Sequence, residues 1–181
     1  MSARTALRAG TAAEHGRVDQ LFSRFDFARE EHYRAFLCAH AAAYLPIEAA
    51  LDAADIAAVL PDWPLRRRSA LLRADLEALG TVAPEPIPPP CLASAAAQLG
   101  AVYVLEGSRL GGALLKRTIP EGSPRRFLDA PQNAGSWRKL LETLDMFLYR
   151  SDRLEAALGA ARGVFQNFEA GGQLYLESGR S

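Results

Sequence analysis

The 181-residue chain is poor in cysteine, poor in lysine and without net charge. Its two cysteines, Cys38 and Cys91, sit in unrelated segments with no CxxC spacing. That excludes a disulfide framework and a cysteine-based zinc site, and it fits a reducing, cytoplasmic setting. Only Lys116 and Lys139 are lysines, so almost all positive charge is arginine. A formal net charge of zero, with no acidic or basic tail, gives no footprint for a nucleic-acid partner. The "RRR" of Arg66, Arg67 and Arg68 reads as a solvated helix face. No run of about twenty apolar residues free of charge occurs, so no membrane span is expected. The first twenty residues lack the continuous apolar core of a signal peptide. There is no GxGxxG after a strand, so no flavin or nicotinamide site is expected.

What is present is helix-forming material. Hydrophobic residues make up 49% of the chain. Leu, Ala, Arg and Glu dominate and β-branched residues are scarce, a composition that favours helix throughout. We expect an all-α fold, one domain over residues 1–181, with about seven helices. The first is expected from Ala3 to Phe25 and the second from Glu30 to Tyr44. Pro46 should open a third, from Ile47 to Val59. The fourth runs from Trp63 to Leu79, with Pro64 in its first turn. "PEPIPPP", residues 84–90, cannot continue a helix and reads as a stiff extended connector. A glycine-bearing helix spans Cys91 to Arg117. Residues 118–135 read as loop. Ser136 should cap a helix starting at Trp137. The last long helix runs from Ser151 to Leu176, loosened at Gly171 and Gly172.

Two segments carry chemistry. On the first helix, Leu7, Thr11, Val18 and Phe22 fall on one side, and His15 shares it. A lone histidine on such a stripe can be a satisfied core residue. Asp19, at i+4, points elsewhere, because a carboxylate there can accept from the imidazole Nδ1–H and orient a ligating histidine. Arg8 lies two turns back, roughly 10 Å along a straight helix axis. A ligand with a metal at one end and an anion at the other would fit that span. His32 and His40 lack ligand-type companions and read as structural or surface residues.

The second segment is "GAVYVLEGSRLGGALLKR", residues 100–117. Gly107, Gly111 and Gly112 interrupt an apolar helix, each weakening it by roughly 1 kcal/mol relative to Ala. Gly107 and Gly111, four apart, bare one strip of backbone. Either another helix packs closely there or something flat approaches it.

With "LRAGTAAEHGRVD" (residues 7–19) and "YVLEGSRLGGALLKR" (residues 103–117) about 85 residues apart, the chain resembles the haem oxygenase family, particularly its short bacterial branch. Thr-x-x-x-His followed by a carboxylate matches that family's proximal helix. Glu-Gly-Ser-x-Leu-Gly-Gly matches its distal helix. The resemblance implies haem b sandwiched between a proximal and a kinked distal helix. It implies His15 as the iron ligand through Nε2, oriented by Asp19, with Thr11 on the same helix. Gly107, Ser108 and Gly111 become the distal catalytic segment, with Gly112 adding freedom to bend. Arg8 and Tyr103 become propionate partners, with Arg138 or Lys139 as further candidates. Phe165 lines the haem pocket.

The implied reaction is cleavage of haem by O₂ and electrons to biliverdin, CO and ferrous iron. Haem is both substrate and cofactor. The electrons come from an external donor: a ferredoxin, a flavoprotein reductase or a small reductant. Larger family members carry an Asp where this chain has Ser108, so proton delivery must run through other groups such as Arg109, backbone and water. A haem carrier of the same fold, binding without turnover, is the alternative.

Overall fold

The computed structural model describes residues 2–115, 118–131, 133 and 135–178; the side chains of 110–115 and 178 are outside the description. Its elements are α1 (Ala3–Gly10), α2 (Ala12–Phe22), α3 (Glu30–Ala53), α4 (Ser69–Ala78), α5 (Ala95–Leu115), α6 (Arg126–Asp129), α7 (Ser136–Phe147) and α8 (Ser151–Ser178). Single 3₁₀ turns at Ile56–Ala58 and Trp63–Leu65 join α3 to α4. The described residues contain no strand, and the expected all-α class holds.

α8 is the axis of the packing, with α5, α3 and α2 laid against it. Glycines set how closely. A Cβ on Gly171 of α8 would stand 2.6 Å from the Ala39 carbonyl oxygen of α3, and one on Gly172 would stand 2.6 Å from the Leu21 side chain of α2. A Cβ on Gly100 of α5 would run into the Ala157 carbonyl of α8. Gly171 and Gly172 therefore do not loosen α8, which runs unbroken. They admit neighbouring helices at backbone distance.

Several boundaries differ from the sequence reading, each for a local reason. The expected first helix is two. Thr11, at φ −119° and ψ 7°, leaves the helical region, and its hydroxyl and its N–H both bond the Leu7 carbonyl, at 2.8 and 3.0 Å. Arg8 and His15 therefore lie on opposite sides of a joint, not on one straight helix.

Pro46 opens no helix; it lies inside α3. Proline lacks the N–H that would bond the carbonyl of residue i−4, Ala42. That carbonyl accepts instead from Ile87 N at 2.8 Å. The proline-rich connector thus repairs the gap that proline makes.

Arg66, Arg67 and Arg68 lie in the joint before α4, not on a helix face. Arg66 and Arg68 are 2% and 4% exposed, and only Arg67 turns outward. In the expected loop 118–135, Arg126–Asp129 forms one short helix, because Asp75 accepts from the Arg126 and Phe127 amides at 3.0 and 2.8 Å. Ser136 does not cap α7; Gly135, at φ +81°, occupies the cap position, and Ser136 is buried as the first helical residue.

Candidate functional site

The proximal half of the site is built on α2. His15 projects outward, with its side chain 61% exposed, so it is not a satisfied core histidine. Its Nδ1 lies 3.2 Å from Asp19 Oδ2, one helical turn on. With Nδ1–H donated to that carboxylate, the neutral ring presents the Nε2 lone pair outward. Among the described residues no protein group takes up Nε2. Phe165, buried on α8, sets its ring edge-on to the imidazole, with centroids 5.5 Å apart. Thr11 is buried, and its hydroxyl serves the α1–α2 joint.

A second candidate segment lies on α5. Tyr103 and Gly107 are one turn apart and share a face. Both are half-buried. Gly107 is unlike the packing glycines of this fold. Among the described residues, a Cβ built on it meets only the Trp137 ring, at 3.9 Å. Gly16 and Gly159 also face open space, but they are surface residues. Among the described residues, no close helix accounts for the bareness of Gly107. Gly111 and Gly112 continue α5, and what surrounds them lies outside the described residues.

Charge links α1 to α5. Burial pushes the Tyr103 phenol up, while Arg4 and Arg8 of α1 pull it back down, so both guanidinium groups act on this tyrosine. Sequence reasoning placed Arg8 and missed Arg4, although the i, i+4 spacing of the two arginines was readable. It also missed Trp137, which lies 5.9 Å from Tyr103 between ring centroids, at a 31° tilt. Arg138 points elsewhere, toward Glu142 at 3.8 Å.

Behind Gly107 lies a buried polar scaffold that the sequence reading did not assemble. Glu106, 2% exposed, accepts from Arg66 Nη1 at 3.0 Å and from Arg109 Nε at 2.8 Å. Arg66 also chelates the Asp62 carboxylate and donates to the Ser136 carbonyl at 2.8 Å. Arg109 donates further to the Arg66 and Pro131 carbonyls. Arg68 lies over the Phe127 and Tyr44 rings, donates to the Leu105 carbonyl at 3.0 Å and reaches Ser108 Oγ at 3.4 Å. Ser108 gives its own proton to Leu105 O at 2.7 Å. Glu48 accepts from the Arg68 and Ser69 amides at 2.8 and 2.9 Å. The sequence signal was Glu106 itself, a carboxylate inside the apolar run "VYVLEGS". Once buried, it must find cationic partners.

His40 is enclosed by Phe22, Phe36, Phe127 and Phe168, and bonds the Phe36 carbonyl through Nδ1 at 3.1 Å. Burial lowers it to about 4. His32 Nδ1 accepts from the Asp26 amide at 3.1 Å. Both are structural histidines.

No family model matches the chain. It is 33% identical, over 112 residues, to a haem oxygenase of Xanthomonas campestris pv. campestris (strain 8004); the match takes in 59% of this chain and 67% of that relative. In fold it is similar to the NO- and CO-bound haem oxygenase from Neisseria meningitidis, with a TM-score of 0.80 at 23% identity, over 98% of this chain and 93% of that one.

Proposed function

The chain belongs to the haem oxygenase family of haem-degrading enzymes, and from that premise we propose how its own residues hold and cleave haem b. Haem supplies the redox chemistry as both substrate and cofactor, and O₂ with external electrons converts it to biliverdin, CO and ferrous iron.

The observation that carries the reading is His15. An outward-facing imidazole whose Nδ1 is committed to Asp19 offers one nitrogen, in one tautomer, to a metal. Phe165 fixes the ring's rotation from the α8 side. Across the site, Gly107 keeps a half-buried stretch of helix backbone free of side chain. These residues fit a planar macrocycle ligated from below and approached by bare backbone from above. Arg4, Arg8 and Tyr103 provide the cationic and phenolic groups for its carboxylates.

Proton handling follows from what is already committed. Ser108 spends its proton on Leu105 O, and Arg109 is tied to Glu106 and two carbonyls. Neither stands ready as a donor. In this reading protons reach the site through solvent at the open Gly107 backbone and not through either side chain. This chain contributes the binding and shielding, and reducing equivalents come from outside: a ferredoxin, a flavoprotein reductase or a small reductant. No described helix is long and apolar enough to cross a membrane, and a cytoplasmic site of action suits a reductant-dependent enzyme.

The test is one titration. Hemin added to the purified chain should give a histidine-type Soret band. Ascorbate in air should then bleach it as bilin absorbance rises. A Soret band that forms and never decays would instead make the protein a haem carrier.

A further inference from the structure

We infer that Trp137 is a specificity-determining residue: it sets how haem is rotated in its plane against α5, and so which edge is cleaved. This inference rests on the haem reading above. Trp137 is the one described side chain within van der Waals reach of the bare position at Gly107, with its ring carbon Cη2 3.9 Å from where a Cβ would stand. Its ring also lies against Tyr103, one turn earlier on the same helix face. A flat ligand approaching Gly107 therefore meets the indole at one edge.

The indole is held in place, not loosely draped. Gly135 adopts a left-handed conformation that turns the chain into α7 and sets Trp137 in its first turn. The preceding carbonyl, Ser136 O, accepts from Arg66 Nη2 at 2.8 Å. The same Arg66 is paired through Nη1 with Glu106, the residue before Gly107, at 3.0 Å. One buried guanidinium thus ties the backbone beside Trp137 to the residue beside Gly107. With Arg66 and Glu106 each 2% exposed, solvent does not weaken that tie. A ring fixed at this spacing can tell apart macrocycle edges that differ only in their substituents. Arg4, Arg8 and Tyr103 can hold carboxylates, yet flexible side chains at one edge leave a macrocycle room to turn in its plane. A rigid ring at another edge limits that turn.

The experiment compares the wild-type chain with Trp137→Ala and Trp137→Phe, each loaded with hemin. Two readouts are taken. The first needs no turnover: the paramagnetically shifted haem-methyl proton pattern of the ferric cyanide complex, which reports seating. The second is the biliverdin isomer composition after ascorbate-driven turnover. Trp137→Ala should raise a minor seating and its isomer by about tenfold, the population change of about 1.4 kcal/mol. Trp137→Phe, which keeps a flat ring, should stay near the wild-type pattern. Trp137→Ala that forms the Soret band yet keeps the wild-type methyl pattern and isomer overturns the inference and leaves the haem reading standing. Wild type that gives no Soret band with hemin overturns the haem reading itself, and this inference with it. If Trp137→Ala loses its helical circular dichroism, Trp137→Leu, apolar but not flat, takes its place under the same criteria.

Discussion

Gly107 sets stability against function in one residue. In a helix interior, replacing Gly by Ala stabilises by roughly 1 kcal/mol, because the unfolded chain loses freedom and the helix loses none. That gain is realised only where the new methyl has room. At Gly107 the nearest described atom is in the Trp137 ring, 3.9 Å from the Cβ position, an ordinary contact. Gly107→Ala should therefore make the ligand-free protein more stable by about 0.5–1 kcal/mol, raising Tm by roughly 2–4 °C per kcal/mol for a chain of this size. Gly100→Ala makes the same chemical change about two turns earlier in α5. There the methyl runs into the Ala157 backbone carbonyl, which cannot move aside, and Tm should fall. Hemin binding should go the other way at Gly107, where the methyl takes space kept for the macrocycle, and Gly107→Leu should abolish turnover. Thermal melts of the ligand-free proteins and hemin titrations settle both halves. A Gly107→Ala protein that melts below wild type, or one that binds and cleaves hemin with wild-type constants, refutes the reasoning.

Three further outcomes follow from the same geometry. His15→Ala should lose the histidine-type Soret band, and Asp19→Asn should weaken hemin binding by about 10-fold or more by leaving the imidazole unoriented; an unchanged spectrum in His15→Ala removes it as ligand. Glu106→Ala leaves the buried Arg66 and Arg109 without their shared carboxylate and should cost about 3–5 kcal/mol in urea unfolding, with Glu106→Gln recovering part; a loss under about 1 kcal/mol would show the scaffold to be dispensable. His40 is held neutral in the fold, lowered by burial to about 4 from 6.5. The unfolded chain therefore binds the extra proton first, and His40's contribution is full above about 6.5 and declines as pH falls toward about 4. His40→Phe should flatten stability between those limits, as measured by urea midpoints across pH.

Much of the site was legible in residue spacing, because a single helix carries the relation. His15 and Asp19 are four apart, and α2 is straight between them, so their contact follows from helical geometry alone. The significance of Gly107 was half legible. Sequence shows a glycine strip but cannot say whether a helix or a ligand faces it. The distinction between Gly100, closed against Ala157, and Gly107, open but for an indole, exists only in three dimensions. Arg66, Arg68 and Trp137 were not legible as neighbours of α5. Each is brought there by a turn or joint whose direction no periodicity encodes. The reading of Arg66–Arg68 as a solvated face failed because it assumed a helix where the chain makes a 3₁₀ turn and a bend.

The all-helical class, the proline connector and the local His15–Asp19 pair follow from the order of residues alone. These rest on composition and on contacts within a few residues, where backbone geometry leaves little choice. It takes the packed chain to show that Thr11 splits the first helix, that α3 runs through Pro46 with Ile87 supplying the missing donor, and that Glu106 is bracketed by two arginines. Each of those depends on which distant group arrives to satisfy a buried polar atom. Burial makes that demand compulsory, but only the packed chain determines who meets it.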